Sequence, residues 1–227
     1  RIYENEGAVG LGIWDSGLER SDLFITSKVW WQDLAPAKIR SEVDASLEEL
    51  QTDYLDLALI HWPNPEFSIQ QAIETLAERK ALGKIRFYGV SNFTPSLFNE
   101  AVGYGEIFCN QVEYHPLLDQ SRLLDRVRSH DSALIAYCPL AQGTLAGESE
   151  LAVIGQKYGK SCEQVALRWL IEQDNVVAIP RSSNPKHLES NYNIFDFELD
   201  ASDRERIASL PKDRRQIAPY FAQDWET

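Results

Sequence analysis

Short apolar segments alternate with amphipathic segments along the chain. Residues 55–60 are almost continuously apolar, which is typical of a strand whose sheet is covered on both faces. Ile39, Val43 and Leu47 recur at every fourth position and predict a helix that begins near Pro36. The whole pattern predicts six strands, and each strand is followed by at least one helix. The predicted strands are Leu23–Lys28, Tyr54–His61, Ile85–Val90, Cys109–Glu113, Ala133–Tyr137 and Val176–Pro180.

Strands that alternate with helices favour a parallel α/β fold. A doubly wound sheet and a (β/α)8 barrel both satisfy this pattern, and the spacing of apolar residues does not separate them. We expect a helix C-cap at Gly83 and a helix that opens at Ser161. No linker or low-complexity segment divides the chain, so one domain is expected over residues 1–227, with a loop from about Pro211 to Thr227 wrapping over the barrel.

The charge balance disfavours nucleic acid and anionic membranes as partners. Basic residues number 22 and acidic residues 35, which gives a formal net charge of −13, and the basic residues form no long run. The longest apolar runs have the length of a strand and not of a membrane span. The three cysteines lie far apart and lack metal-binding spacing, so we expect no metal site and a reducing, cytoplasmic location.

Polar side chains stand where the predicted strands end. One polar residue at one strand end is ordinary solvent contact, and a lone histidine or a strand tyrosine is often a core residue. Six strand ends with polar chemistry nevertheless favour a site, because the carboxyl ends of parallel strands meet at one edge of a sheet or one mouth of a barrel. These residues are Lys28, His61, Ser91, Asn92, Gln111, Tyr137 and Arg181.

Common nucleotide and catalytic motifs are missing from the sequence. Gly10 and Gly12 continue to Asp15 where the third glycine of a dinucleotide-binding loop belongs, and there is no P-loop, HExxH or GxSxG motif. A bound nucleotide is therefore not expected to be held in the Rossmann manner.

Seven ordered segments resemble the signatures of the aldo-keto reductases, in particular the bacterial 2,5-diketo-gluconate reductase branch. The segments are Tyr3-Glu4-Asn5-Glu6, Thr26-Ser27-Lys28-Val29-Trp30, Leu59-Ile60-His61-Trp62-Pro63, Gly89-Val90-Ser91-Asn92-Phe93, Asn110 to Pro116, Tyr137-Cys138-Pro139-Leu140 and Ile179-Pro180-Arg181-Ser182-Ser183. The resemblance implies a (β/α)8 barrel that reduces an aldehyde or ketone with NADPH. Because only six strand–helix units are visible and the chain has no methionine, we expect it to be N-terminally incomplete, with roughly forty residues and two strands before Arg1.

The resemblance assigns three residues to catalysis. Tyr3 is expected to donate the proton, Lys28 to lower the pKa of Tyr3, and His61 to orient the substrate carbonyl. The aspartate that pairs with the lysine in this family is expected upstream of Arg1. An ammonium beside a phenol stabilises the phenolate, so these residue types suit the chemistry.

The same resemblance implies cofactor and substrate contacts. Ser91, Asn92 and Gln111 are expected to hold the carboxamide of NADPH, and Tyr137 to stack on the nicotinamide. Trp30 and Trp62, with Tyr3 and His61, are expected to line the pocket for a small dicarbonyl, aldehyde or keto-sugar. The pyrophosphate and adenosine ends are expected to meet Pro139, Leu140, Gln142, Gly143, Ile179, Arg181, Ser182, Ser183, His187 and Asn191.

Two other functions compete with the reductase. One is a catalytically inert, nicotinamide-binding barrel that acts as a regulatory or binding subunit, and the presence of Tyr3, Lys28 and His61 argues against it. The other is an unrelated barrel hydrolase or isomerase that uses His61 with a carboxylate. His187 stands where the family usually has an arginine on the 2′-phosphate, which reduces the expected preference for NADPH over NADH. The family resemblance favours a monomer.

Overall fold

A computed structural model describes residues 3–225, which form two compact units. The first unit comprises residues 3–110 with 223–225, and the second comprises residues 111–222. None of the helices described in this range is long and apolar enough to cross a bilayer.

Parallel strands and helices alternate in the first unit. Strand β1 (Thr26–Val29) pairs with β2 (Leu55–Ile60), and β2 pairs with β3 (Ile85–Ser91), all parallel, with Lys28 opposite Leu59 and Leu59 opposite Gly89. The elements of this unit are α1 (Glu6–Asp15), β1 (Thr26–Val29), α2 (Pro36–Leu50), β2 (Leu55–Ile60), α3 (Ile69–Ala81), β3 (Ile85–Ser91) and α4 (Pro95–Val102). Strand β4 (Cys109–Glu113) begins in this unit and continues into the second.

Local sequence explains these elements. All six residues of β2 are buried, as its continuous apolar character requires. Helix α2 buries its stripe of residues at every third or fourth position and has proline in its first turn. A Cβ at Gly89 would lie 2.7 Å from the backbone oxygen of Cys109, so β3 passes its neighbour at a distance that only glycine allows.

The second unit also places helices between parallel strands. Its elements are α5 (Ser121–Ser129), β5 (Ala133–Tyr137), a 3-10 segment (Ala141–Gly147), α6 (Ser149–Tyr158), α7 (Cys162–Ile171), β6 (Val176–Ala178), α8 (Pro185–Tyr192) and α9 (Ala201–Ala208). Strands β5 and β6 are parallel, with Leu134 opposite Val176. Leu145, Ile154 and Ile207 are among the buried residues that form its core.

The predicted parallel α/β class is confirmed, and all six strands occur in the described residues. The predicted β1 began too early, because Phe24 is exposed and stacks on Phe87 instead of continuing the ladder. The predicted last strand was too long, since β6 ends at Ala178. Gly83 follows α3 with φ +71°, and Ser161 caps α7, as expected.

The tail is a loop anchored to the segment that follows β4. Arg214 N donates to Leu117 O at 2.9 Å, and Asp119 N donates to Lys212 O at 3.0 Å. The fully buried carboxylate of Glu113 accepts from the backbone of Gln216 at 2.6 Å and of Ile217 at 2.8 Å. Over the described residues 212–225 the tail forms no helix or strand beyond an isolated antiparallel bridge between Asp213 and Leu118, as expected for a loop, and these contacts hold it at defined positions.

Candidate active site

Tyr3, Lys28 and His61 come together in the first unit. The Lys28 Nζ atom lies 5.7 Å from the centre of the Tyr3 ring. The Tyr3 and His61 rings have centres 5.9 Å apart. Lys28 reaches this point from the end of β1. His61 follows β2 directly, and its backbone N–H donates to Val29 O at 3.0 Å. The parallel pairing of β1 and β2 thus brings the amine and the imidazole to the same end of the sheet.

Burial shifts the pKa of two of these groups. It lowers the pKa of the Lys28 ammonium. Burial, reinforced by the positive charge of Lys28, lowers the pKa of His61 to about 3. The imidazole is therefore neutral near pH 7 and carries one N–H donor and one acceptor nitrogen.

The ring of His61 contacts Trp30 and has one nitrogen without a hydrogen-bond partner among the described residues. Trp30 meets it edge-on, with ring centres 5.1 Å apart. Among residues 3–225, no group forms a hydrogen bond with the buried Nδ1 of His61. A buried polar atom without a protein partner is costly, so this nitrogen fits a site that is completed by a ligand.

Ser91 and Asn92 are buried beside the backbone of His61. The Asn92 amide donates to His61 O at 3.0 Å and to Ser91 Oγ at 3.1 Å. Asn92 has φ +61°, a conformation that asparagine tolerates better than most residues. The turn after β3 is therefore locked to the end of β2.

A hydrogen-bonded cluster that was not anticipated from the sequence joins α1 to β1. Glu6 accepts from Ser27, which directly precedes Lys28, and from Ser46 at 3.1 Å. The cluster fixes the start of α1, three residues after Tyr3, against the strand that carries Lys28. Its only sequence signal was the position of Glu6 within the tyrosine motif. A cavity of about 350 Å3 lies along α1 and β1, and Tyr3 and Lys28 are among its lining residues.

In the second unit, the loop after β5 has an unusual backbone. Cys138, Gln142 and Gly143 have φ values of +46°, +53° and +88°. Such conformations are costly for residues other than glycine and often mark binding segments. Tyr137, at the end of β5, is half-buried, and Gln111 in β4 is buried.

Helix α8 presents cationic groups beside its N-terminus. Asn184 caps the helix by accepting from Lys186 N at 3.0 Å. The side chains of Arg181, Lys186 and His187 are exposed. Basic side chains and the positive end of a helix are groups that bind phosphate.

The candidate residues thus divide between the two units. The first unit contains Tyr3, Lys28, Trp30, His61, Trp62, Ser91 and Asn92. The second contains Gln111, Tyr137, Pro139, Leu140, Gln142, Gly143, Ile179, Arg181, Ser182, Ser183, His187 and Asn191. The three residues expected in catalysis lie together, and Trp62, expected at the substrate, is buried.

Comparison with known proteins identifies the family. The model of the aldo/keto reductase family matches residues 1–212. The chain belongs to this family.

Relatives of known name agree with the assignment to the aldo-keto reductases. The chain is 44% identical to a glyoxal reductase of Bacillus subtilis (strain 168), over 94% of this chain and 78% of the relative. It is 37% identical to the methylglyoxal reductase DkgB of Escherichia coli O157:H7, over 100% of this chain and 86% of the relative. The expected class, an oxidoreductase, is confirmed.

A solved structure supports both the fold and the branch. The crystal structure of a putative 2,5-diketo-D-gluconic acid reductase B is 36% identical and matches with a TM-score of 0.97, over 100% of this chain and 82% of that chain. The aldo-keto reductase fold is the (β/α)8 barrel. Among residues 3–225 this chain has six strands that alternate with helices, which confirms the α/β class and agrees with the barrel fold of its family.

Proposed function

We propose that this aldo-keto reductase reduces small aldehydes and ketones to alcohols with NADPH, and that Tyr3 is the general acid. The observation that carries the proposal is the cluster of Tyr3, Lys28 and His61 at the ends of β1 and β2. A phenol, an ammonium and a neutral imidazole are a set suited to stabilising charge on one carbonyl oxygen.

Tyr3 provides the proton in the proposed mechanism. Its Oη–H passes a proton to the carbonyl oxygen as negative charge develops there. The Lys28 ammonium, close to the Tyr3 ring, favours the phenolate that is left behind. Neutral His61 donates a hydrogen bond to the same oxygen and orients the carbonyl. The Asn92 side chain holds the backbone of His61 by its bond to His61 O.

The residues present fit a dinucleotide with a phosphorylated ribose. NADPH, when bound, supplies the hydride. Ser91, Asn92 and Gln111 would hold its carboxamide and Tyr137 its nicotinamide ring. The loop of Pro139, Leu140, Gln142 and Gly143 would hold the pyrophosphate. Residues 179–183 with His187 and Asn191 would hold the adenosine end, where the exposed cations suit the 2′-phosphate.

The substrate class follows from the wall of the site. Trp30 packs edge-on against His61, so the carbonyl would be bound beside an aromatic surface. The names of the relatives, glyoxal and methylglyoxal reductase, favour small dicarbonyls among the aldehydes and keto-sugars considered. The inert-barrel alternative is not favoured, because the three candidate catalytic residues are retained and clustered.

Tyr3→Phe tests this proposal. We expect the variant to lose nearly all NADPH oxidation with methylglyoxal, while NADPH still quenches its tryptophan fluorescence with an unchanged Kd. Tyr104→Phe, at an exposed tyrosine of the same unit, is the matched control and should keep full activity. Undiminished turnover in Tyr3→Phe removes Tyr3 from the mechanism, and NADPH binding without turnover in the parent protein favours the inert barrel.

The cofactor assignment has its own measurement. The ratio of kcat/KM with NADPH to that with NADH should exceed one, and a clear preference for NADH contradicts the choice of NADPH. A cytoplasmic location, a monomeric state and a single barrel domain over residues 1–227 stay predictions.

A further inference from the structure

Helix α8 is attached to the second unit by polar contacts. All eight of its residues, Pro185–Tyr192, are described, and none of them is buried. The helix packs against α7, but an exposed helix of two turns gains little from apolar burial. Something other than a hydrophobic face must therefore hold it in place.

The side chain of Gln164, in the first turn of α7, makes this attachment. Its Nε2 atom donates to Ser190 O at 3.0 Å and to Asn193 O at 2.8 Å, at the C-terminal end of α8. The Gln164 residue is itself buried. Its Oε1 atom accepts from Ser161 N at 3.0 Å, which completes the capping box of α7. One amide thus joins the start of α7 to the end of α8.

Lys160 makes a second attachment at the same point. Its Nζ atom donates to Asn193 O at 3.1 Å and to a carboxylate oxygen of Asp196 at 2.8 Å. The Lys160 side chain is only 7% exposed, whereas that of Asp196 is 60% exposed, so this attachment is partly open to water. Asn193 O therefore receives two donors from the α7 side.

We infer that Gln164, assisted by Lys160, is a positioning residue. It holds α8 in place and thereby sets how tightly α8 binds the adenosine end of the cofactor. The inference rests on the proposed function, because His187 and Asn191 on α8 are proposed there to hold the adenosine end of the cofactor, and Lys186 beside them is one of the exposed cations suited to the 2′-phosphate. Gln164 touches none of these three in the contacts described above. It acts by fixing the helix that carries them.

The test separates the two donors of Gln164 from its acceptor. Gln164→Glu keeps an oxygen for Ser161 N–H but loses both donors, and Gln164→Met loses donors and acceptor without adding charge. Ser161→Ala, the matched control, removes the hydroxyl half of the capping box and leaves the Gln164 donors in place. Lys160→Met repeats the test at the second attachment.

Binding and hydrogen exchange are the readouts. We expect both Gln164 variants to bind 2′,5′-ADP and NADPH roughly 5- to 30-fold more weakly, the loss of one to two hydrogen bonds. Binding of reduced nicotinamide mononucleotide and kcat at saturating NADPH should be unchanged. Amide exchange in residues 185–193 should be faster. Ser161→Ala should lower the melting temperature by roughly 2–4 °C without changing the Kd for 2′,5′-ADP.

Each other result counts against the inference. Unchanged Kd in both Gln164 variants overturns it, whether or not exchange in α8 rises, and leaves the proposed function standing. A loss in Gln164→Glu alone indicates charge repulsion, and an equal loss in Ser161→Ala indicates a general effect on α7; both overturn it. If the parent protein binds neither 2′,5′-ADP nor NADPH, the proposed function fails first, and the inference fails with it.

Discussion

Replacement of His61 by glutamine should change how the stability of the protein depends on pH. Glutamine has a similar length and polar end but does not titrate. The folded protein holds the pKa of His61 at about 3, whereas the ordinary value is 6.5. Between these two pKa values His61 is protonated in the unfolded chain but not in the folded protein. Protonation of His61 therefore favours unfolding as the pH falls below 6.5.

The magnitude follows from the two pKa values. Each pH unit below the ordinary pKa costs about 1.4 kcal/mol, so lowering the pH to about 4.5 costs about 2–3 kcal/mol of unfolding free energy. The cost reaches its full value only near the folded pKa of about 3. Above pH 6.5 the histidine contributes no such dependence.

Urea unfolding followed by tryptophan fluorescence measures this effect. The difference in unfolding free energy between the parent protein and His61→Gln should shift by about 2–3 kcal/mol in favour of the variant from about pH 7.5 to about pH 4.5. His187→Gln, at an exposed histidine, is the control for a histidine-to-glutamine change outside the buried site. Parallel curves for the parent protein and His61→Gln, or an NMR titration of His61 near its ordinary pKa, refute the reasoning.

Three further predictions concern stability. Burial alone would raise the pKa of Asp56, but hydrogen bonds from Ile25 N–H and two arginines lower it. The ionised carboxylate therefore adds to the free energy of unfolding above pH 3.8, and this stability is lost as the pH falls through the folded pKa. Asp56→Asn should lower the free energy of unfolding in urea by about 2 kcal/mol at pH 7, and the difference between parent protein and variant should be smaller in acid. An equal difference at both pH values contradicts this. Glu113→Gln should cost about 1–3 kcal/mol and speed amide exchange in the tail that Glu113 holds, and protected tail amides would show that another anchor suffices. Gly89→Ala should lower the free energy of unfolding by about 1–3 kcal/mol, measured by thermal unfolding, because the new Cβ meets Cys109 O. An unchanged melting temperature would mean that β3 and β4 move apart without cost and would contradict this prediction.

Much of the fold could be predicted from local sequence. Residues 55–60 are continuously apolar and become the fully buried β2. Gly83 and Ser161 stand at helix ends because a left-handed backbone and a capping hydroxyl are local requirements. The polar residues at the strand ends also pointed to Lys28 and His61, since parallel strands collect their ends at one edge.

The strand limits were less predictable, because ladder hydrogen bonds depend on a neighbour. Phe24 is hydrophobic enough to extend β1, yet it lies exposed and stacks on Phe87. The apolar pattern records which residues suit a strand, and it does not record where the partner strand ends.

Local sequence thus determined the order of strands and helices and the residue types at the strand ends, because backbone preference and apolar periodicity act over a few positions. The tertiary structure alone decided the low pKa of His61, the Glu6 contact with Ser46 forty residues away, and the Gln164 bonds to the end of α8. Each of these depends on desolvation or on hydrogen bonds between segments distant in sequence. Those energies exist only after the chain has packed.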